Sequence, residues 1–280
     1  PPGSYAVHSV ADTTFEVTQV EPGRQTPVAV TIEAPQGQAR VVSPAPRRAG
    51  PGDRSGRWHN FGTADGLPGS TVNSIGEDDD GNLWFGTRAG VSRYDGRTFT
   101  TFTTDDRLGH NAVSAILQDG HGYLWFGTDG GGVTRYDGQR LVTYTTRDGL
   151  AGDQVNAMAE DRDGNLWLGT WGGGLSRYDG TFFTTYTWKD GLANDTFGPG
   201  TVLVDGGGQL WVAPFRGGLS RYSREDGFGT IASHPSAIRG LFEDSEGRFW
   251  MVTEDHGAVC VDGDEVSVLT PDDGLASEWV

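Results

Sequence analysis

Asn82-Leu-Trp-Phe-Gly-Thr87 occurs again, almost unchanged, as Tyr123-Leu-Trp-Phe-Gly-Thr128 and as Asn165-Leu-Trp-Leu-Gly-Thr170. Two weaker copies follow, Gln209-Leu-Trp-Val-Ala-Pro214 and Arg248-Phe-Trp-Met-Val-Thr253. The tryptophans of the five copies are 41, 42, 44 and 39 residues apart. A regular period of this length is typical of one supersecondary unit copied along the chain, each copy burying a face against its neighbour.

The first full unit, residues 65–104, reads as four short strands joined by tight turns. Its predicted strands are 71–75, 83–87, 90–94 and 98–103. Asp78-Asp-Asp-Gly-Asn82 separates the first two strands, because Asp, Asn and Gly favour tight turns. Four short antiparallel strands in roughly 40 residues are typical of a propeller blade. The sequence therefore predicts an all-β fold, a β-propeller of four-stranded antiparallel blades with five full repeats and partial strands at its ends.

The repeated motifs resemble those of the two-component regulator propeller repeat family. That family combines an Asp-Gly-Leu or Asn-x-Val entrance with Asn-Leu-Trp-x-Gly-Thr and with Gly-Leu-x-Arg-Tyr-Asp. Besides the tryptophan motifs, the matching stretches are Asp65-Gly-Leu67, Ser92-Arg-Tyr-Asp95, Asn111-Ala-Val113, Thr134-Arg-Tyr-Asp137, Asp148-Gly-Leu150, Ser176-Arg-Tyr-Asp179 and Ser220-Arg-Tyr222. The resemblance covers residues 57–280 and implies a sensor-type propeller, seven-bladed in the usual case.

Both ends of the repeat region hold partial units. Residues 57–63 match the fourth strand of a unit, and residues 272–280 match the entrance of a sixth. A propeller hides its sheet edges by letting its two ends complete one blade, and here that blade would lack its two middle strands. We therefore expect an incomplete six- or seven-bladed propeller and interpret the chain as a fragment of a larger protein.

The region before the repeats has a different character. Residues 1–42 contain three extended alternating stretches, 5–10, 14–20 and 28–33, and residues 14–24 weakly resemble the last strands of carboxypeptidase-regulatory-like β-sandwiches. We predict a partial β-sandwich-like segment over 1–42, a Pro/Gly-rich linker over 43–56, and propeller repeats over 57–280.

Composition excludes several classes of partner. The formal net charge of −17 disfavours nucleic acid and anionic membrane surfaces, since phosphate binding needs clustered Lys and Arg. No apolar run approaches the length of a membrane helix, about 18 residues or more. Cys260 is the only cysteine, lies in an apolar stretch and is assigned to the core. No motif for a nucleophile, a phosphate loop or a cofactor is present, so no cofactor and no catalytic residue are predicted.

Residues that recur at one position from copy to copy are assigned to blade construction. They include the tryptophans Trp84, Trp125, Trp167, Trp211 and Trp250, and the arginines Arg93, Arg135, Arg177 and Arg221. The Asp-rich turns lack the twelve-residue loop ending in Glu of an EF-hand, and turn chemistry explains them better than calcium. The six histidines are dispersed without metal-ligand spacing, so no metal site is predicted.

Function is expected where the copies differ, in the loops that follow the second strand of each unit and in the loops between units. Arginines there could hold a carboxylate in bidentate fashion, and exposed aromatic rings could stack on a sugar. The candidate ligand-binding residues are Arg88, His110, Asn111, Asp129, Asp153, Trp171, Trp188, Phe215, Arg216, Asp255 and His256.

Three functions remain open. The resemblance implies an extracytoplasmic (periplasmic or secreted) ligand-sensing module of a two-component system. Such modules are linked to recognition of carbohydrate or other nutrients, and the output domain would lie outside this chain. A protein-interaction scaffold is the second hypothesis, and a propeller-type polysaccharide lyase is the third. A lyase would need His110 or His256 as a base close to Arg88 or Arg216.

Overall fold

The computed structural model describes the backbone of residues 4–10, 14–21, 24–33 and 40–41, and the residues 61–232, 237–254, 257–262, 265–270 and 273. The chain divides into two compact units, Pro1–Asn60 and Phe61–Val280. In the first unit, β1 (Ser4–Val10), β2 (Thr14–Glu21), β3 (Arg24–Glu33) and β4 (Arg40–Val41) form an antiparallel sheet in chain order. All three predicted extended stretches lie in these strands, while the predicted linker lies outside the described residues.

The second unit contains five antiparallel sheets of four strands, each in chain order. Blade 1 has β5 (Val72–Glu77), β6 (Leu83–Thr87), β7 (Gly90–Tyr94) and β8 (Phe99–Phe102). Blade 2 has β9 (Val113–Gln118), β10 (Leu124–Thr128), β11 (Val133–Tyr136) and β12 (Leu141–Tyr144). Blade 3 has β13 (Val155–Glu160), β14 (Leu166–Thr170), β15 (Gly174–Tyr178) and β16 (Phe183–Tyr186).

Blade 4 has β17 (Val202–Val204), β18 (Leu210–Val212), β19 (Leu219–Ser223) and β20 (Gly227–Ala232). Blade 5 has β21 (Ile238–Glu243), β22 (Phe249–Thr253), β23 (Ala258–Asp262) and β24 (Glu265–Leu269). Single turns of 3-10 helix precede blades 1 to 4, at Thr63–Asp65, Thr104–Asp106, Thr146–Asp148 and Trp188–Asp190. The predicted all-β fold of five four-stranded repeats is confirmed, whereas the predicted end strands fall largely outside the described residues.

The turn between the first two strands of each blade is locked by one aspartate. Asp78 accepts the indole N–H of Trp84 at 2.8 Å and the backbone N–H of Asn82 at 2.8 Å. The same indole bond recurs at 2.7–2.8 Å from Trp125, Trp167, Trp211 and Trp250 to Asp119, Asp161, Asp205 and Asp244. Each tryptophan can therefore be buried without leaving its N–H unsatisfied.

The hydrophobic core lies in four layers, one between each pair of consecutive blades. In the first layer, Trp84 packs against Phe126 and Tyr136 of blade 2 at ring-centroid distances of 5.4 and 5.7 Å. The tryptophan side chains of blades 1 to 3 are almost completely buried. This packing fixes each blade against the next and holds the loops at the strand ends in a regular row.

Within the described residues, no other blade covers the face of blade 1 that is turned away from blade 2. Val72 is 37% exposed, whereas Val113 and Val155, the equivalent residues of the next two blades, are 0% exposed. Leu83 is likewise 37% exposed against 5% for Leu124. Blades 2 and 3 bury this face against the preceding blade, so blade 1 presents an apolar face that the repeat design normally covers.

Candidate functional site

The residue that follows the second strand occupies one fixed place in each blade. In blades 2 to 5 its backbone N–H donates to a carbonyl before the first strand of the same blade, as Trp171 does to Gln154 at 2.9 Å and Phe215 does to Thr196 at 2.7 Å. Asp129 and Glu254 make the same bond in blades 2 and 5, at 2.9 and 3.0 Å. We call this place the rim position, and it is held in blades 1 to 5 by Arg88, Asp129, Trp171, Phe215 and Glu254.

A buried threonine closes the loop beside most rim positions. The hydroxyl of Thr170 donates to the carbonyl of Gly174 at 2.8 Å, and Thr128 and Thr253 do the same to Gly132 and Gly257. Because the frame is hydrogen-bonded and repeated, the rim side chains are presented by rigid strand ends. The hydrogen-bonded frame recurs in most blades, while the rim side chains change from Arg to Asp, Trp, Phe and Glu.

Blades 3, 4 and 5 bring aromatic rings and arginines together at the rim. The ring centroids of Trp171 and Phe215 are 5.8 Å apart, and Trp171 is 49% exposed. The guanidinium carbons of Arg216 and Arg239 lie 5.4 and 5.9 Å from the Phe215 ring centroid. Arg239 also donates to Glu254 at 2.9 Å. We call these five residues the aromatic sector.

Arg216 has an unusual backbone conformation. Its φ is 57°, and the equivalent residues of blades 2 and 3 are Gly130 and Gly172, with φ of 104° and 81°. A left-handed conformation costs an L-residue roughly 1–2 kcal/mol, which glycine avoids. A strained non-glycine residue in a surface loop is a physical reason to look for a function of its side chain.

A separate cavity of about 240 Å³ lies beside the rim positions of blades 1 and 2. It is lined by Asn73, Arg88, Ala112, Ser114, Asp129 and Pro199. Pro199 belongs to the loop before blade 4, so the cavity receives residues from non-adjacent blades. The structure therefore groups Arg88 with Asp129, and it groups Arg216 with Trp171 and Phe215.

Other predicted site residues shape the inter-blade loops. The side chains of Asn111 and Asp153 accept the backbone N–H groups of Thr104 and Thr146 at 2.8 and 2.7 Å. His110 Nδ1 accepts the N–H of Ala112 at 3.1 Å. That these residues bind a ligand stays a prediction.

The remaining predicted residues lie apart or outside the described chain. Trp188 is 63% exposed, and its ring faces the ammonium of Lys189 at 5.7 Å. Asp255 and His256 lie outside the described residues. Sequence reasoning did not single out Arg239, which replaces Asn73, Ser114 and Asn156 of the other inner strands. The difference between the copies at this strand position is the signal in the sequence that identifies Arg239.

The turns between the first and second strands lie at the opposite end of each blade from the rim. Their aspartates are hydrogen-bonded to groups of the same blade. Burial opposes ionisation of Asp78, but hydrogen bonds from Trp84 and Asn82 outweigh it and hold its pKa below the ordinary value. Hydrogen bonds from Trp250 and Arg248 likewise hold the pKa of Asp244 well below its usual range. These carboxylates serve the turns. Among the described residues, no group of three or more His, Cys, Asp or Glu side chains is placed to hold a metal ion.

The repeats match a known family. Residues 66–89, 107–130 and 149–172 match the family model described as two component regulator propeller, which confirms the resemblance for these three repeats. No curated protein matches the chain. In the described part of the chain, no helix has the length and apolar character needed to span a membrane.

Solved propellers share the fold. The extracellular domain of a putative hybrid two component system from B. thetaiotaomicron is 23% identical, with a TM-score of 0.67, over 75% of this chain and 31% of that one. A second such domain from B. thetaiotaomicron is 20% identical, with a TM-score of 0.62, over 71% and 30%. Virginiamycin B lyase from Staphylococcus aureus is 17% identical, with a TM-score of 0.57, over 71% and 69%. The chain thus spans about a third of the two component domains it matches.

Proposed function

We propose that this chain, whose repeats match those of the two component regulator propeller family, is the ligand-binding propeller of an extracytoplasmic sensor. The observation that carries the proposal is the aromatic sector. At rim positions held by the same kind of backbone hydrogen bond, blades 3 and 4 carry Trp171 and Phe215 in ring contact, with Trp171 half exposed. An exposed aromatic ring packed on a half-buried one, beside charged groups, is a platform for a small ligand.

The proposed ligand contains a sugar ring. The apolar face of a sugar can pack on an aromatic ring, while the arginines and Glu254 offer donors and an acceptor to its hydroxyl groups. The extracytoplasmic location is supported by the family match and by the similarity to extracellular domains of putative two component systems. The output would be supplied by another domain or by a partner.

The test is a binding screen by isothermal titration calorimetry and thermal shift with neutral and acidic oligosaccharides. We expect at least one to bind, and Trp171→Ala and Phe215→Ala to weaken it about fivefold or more, since stacking on one ring contributes on the order of 1 kcal/mol or more. Phe182→Ala is the control, because Phe182 is also an exposed aromatic residue, at 71%, but lies in the turn before β16. A folded protein that binds no member of the panel would refute the proposal.

A protein-interaction scaffold is the second candidate, favoured by the apolar face of blade 1. Ile75 is 64% exposed there, beside Val72 and Leu83. Contiguous exposed apolar residues are typical of surfaces that meet another protein. Light scattering would test whether the chain associates with itself through this face. Association that Ile75→Glu abolishes would support a scaffold role, and a monomer at all concentrations would count against self-association.

The lyase alternative gains no comparable support. A general base must lie within hydrogen-bond reach of the proton that it removes, beside the group that neutralises the substrate carboxylate. In the described part of the chain, no hydrogen bond or ion pair joins His110 to Arg88 or Arg216, and these two arginines lie in different groups of residues.

A further inference from the structure

The two arginines of the aromatic sector, Arg216 and Arg239, differ in whether another side chain of the protein already pairs with their charge. Arg239 donates to Glu254 at 2.9 Å, so its charge is balanced within the protein. Arg216 lies at a similar distance from the Phe215 ring, but no ion pair is described for it. Its side chain is exposed at the edge of the aromatic pair. Within the described aromatic sector, Arg216 is therefore the cation that is available to a ligand.

The position of this cation matters as much as its charge. The Phe215 ring holds the guanidinium beside the stacking surface, where a cation–π contact restricts its movement. Blades 2 and 3 have glycine at this position, and the left-handed backbone of Arg216 sets the direction in which its side chain leaves the loop. A guanidinium beside an aromatic surface can form two parallel hydrogen bonds with a carboxylate carried by the stacked ring.

Long-range electrostatics acts in the opposite direction. The chain carries a formal net charge of −17, which repels anions in general. Selection of an anionic ligand must therefore come from a local contact, and Arg216 is placed to supply that contact.

We infer that the aromatic sector selects ligands in which a stackable ring carries a carboxylate, as in uronic acid oligosaccharides, with Arg216 as the specificity-determining residue. The inference rests on the proposed function, because it names the ligand class of the same site. It assigns stacking to Trp171 and Phe215, recognition of the carboxylate to Arg216, and positioning of the neighbouring loop to the Arg239–Glu254 pair.

The experiment compares one pair of probes, trigalacturonate and its carboxyl-reduced, neutral form, by isothermal titration calorimetry. The unaltered chain is expected to bind the acidic form about tenfold or more tightly than the neutral form, because charge-assisted hydrogen bonds are the strong ones. Arg216→Gly should remove this preference by weakening the binding of trigalacturonate about tenfold more than the binding of the neutral form. Glycine is suited to a positive φ, so this variant is expected to fold.

The chain offers a matched control in Arg107→Gly. Arg107 also has a positive φ, of 77°, and lies before Leu108 where other repeats have Gly66, Gly149 and Gly191. Both variants remove one positive charge and one strained backbone, but only Arg216 lies beside the aromatic pair. Arg107→Gly should therefore retain the full preference for trigalacturonate.

Two results would overturn the inference while leaving the proposed function intact. One is equal affinity of the unaltered chain for both probes, and the other is a preference that survives in Arg216→Gly. If neither probe binds, the inference fails. The proposed function fails with it only when the wider oligosaccharide panel also gives no binding.

Discussion

Trp171 and Phe215 hold the same rim position in adjacent blades, and their ring centroids lie 5.8 Å apart at an interplanar angle of 54°. Each backbone N–H is tied to the inter-blade loop that precedes its own blade, at Gln154 and Thr196. The contact is therefore produced by the stacking of blades 3 and 4. Arg216 and Arg239 flank this contact on the Phe215 side.

We expect the two rings to be energetically coupled. A double-mutant cycle with Trp171→Ala and Phe215→Ala, measured by urea unfolding, should give a coupling of about 0.5–1.5 kcal/mol, the usual range for aromatic pairs. The control cycle combines Trp188→Ala with Phe215→Ala, because Trp188 faces Lys189. Additive effects in the first cycle would show that the ring contact contributes nothing in solution.

The turn aspartates should dominate local stability. Asp78→Ala removes the acceptor for the Trp84 indole and for the Asn82 backbone, and we expect a loss of about 2–4 kcal/mol, since a buried donor is left unsatisfied. Asp80→Ala changes an exposed aspartate of the same turn and should cost less than about 0.5 kcal/mol. Urea titrations followed by tryptophan fluorescence would compare the two. Equal losses would contradict the assigned role of Asp78.

The uncovered face of blade 1 predicts that Val72 tolerates a charged substitution better than Val113, its equivalent in blade 2. Val113→Asp places a charge in a fully buried site and should destabilise the chain by about 3 kcal/mol or more. Val72→Asp, at the 37% exposed equivalent, should cost about 1 kcal/mol or less. Thermal unfolding of both variants tests this difference. A severe effect of Val72→Asp would mean that this face is covered in solution.

Acid should weaken the fold through its turns. The pKa values of Asp78 and Asp244 are lowered in the folded state, so both contribute stability above the unfolded pKa of about 3.9 and lose it as the pH falls through their folded values. Unfolding midpoints should therefore fall as the pH is lowered from about 4 toward 2.

The variant Asp244→Asn removes one of these titrating groups and should flatten the acid limb of the stability profile. Glu160 acts in the other direction, because burial raises its pKa and its protonation favours the folded state. Midpoints measured between pH 2 and 6 for both proteins would check the prediction. An unchanged slope in Asp244→Asn would rule out Asp244 as a source of the acid dependence.

Local residues determine much of this protein. The strands, the turns and their repetition can be predicted because each blade is built from contacts within about 40 residues, through alternation, Asp-Gly turns and a tryptophan at one place. The sequence also predicts that ligand contacts lie where the copies differ. Arg88, Asp129, Trp171, Phe215 and Arg216 are ligand-binding candidates on that basis.

Only the tertiary structure decided which of those residues are neighbours. Trp171 meets Phe215, although 44 residues separate them, because adjacent blades place equivalent rim positions side by side. The same stacking places Arg239 of an inner strand beside the Phe215 ring and leaves Arg88 in the cavity with Asp129. The left-handed conformation of Arg216 was likewise not readable from its residue type, since it is imposed by a loop frame in which other blades use glycine.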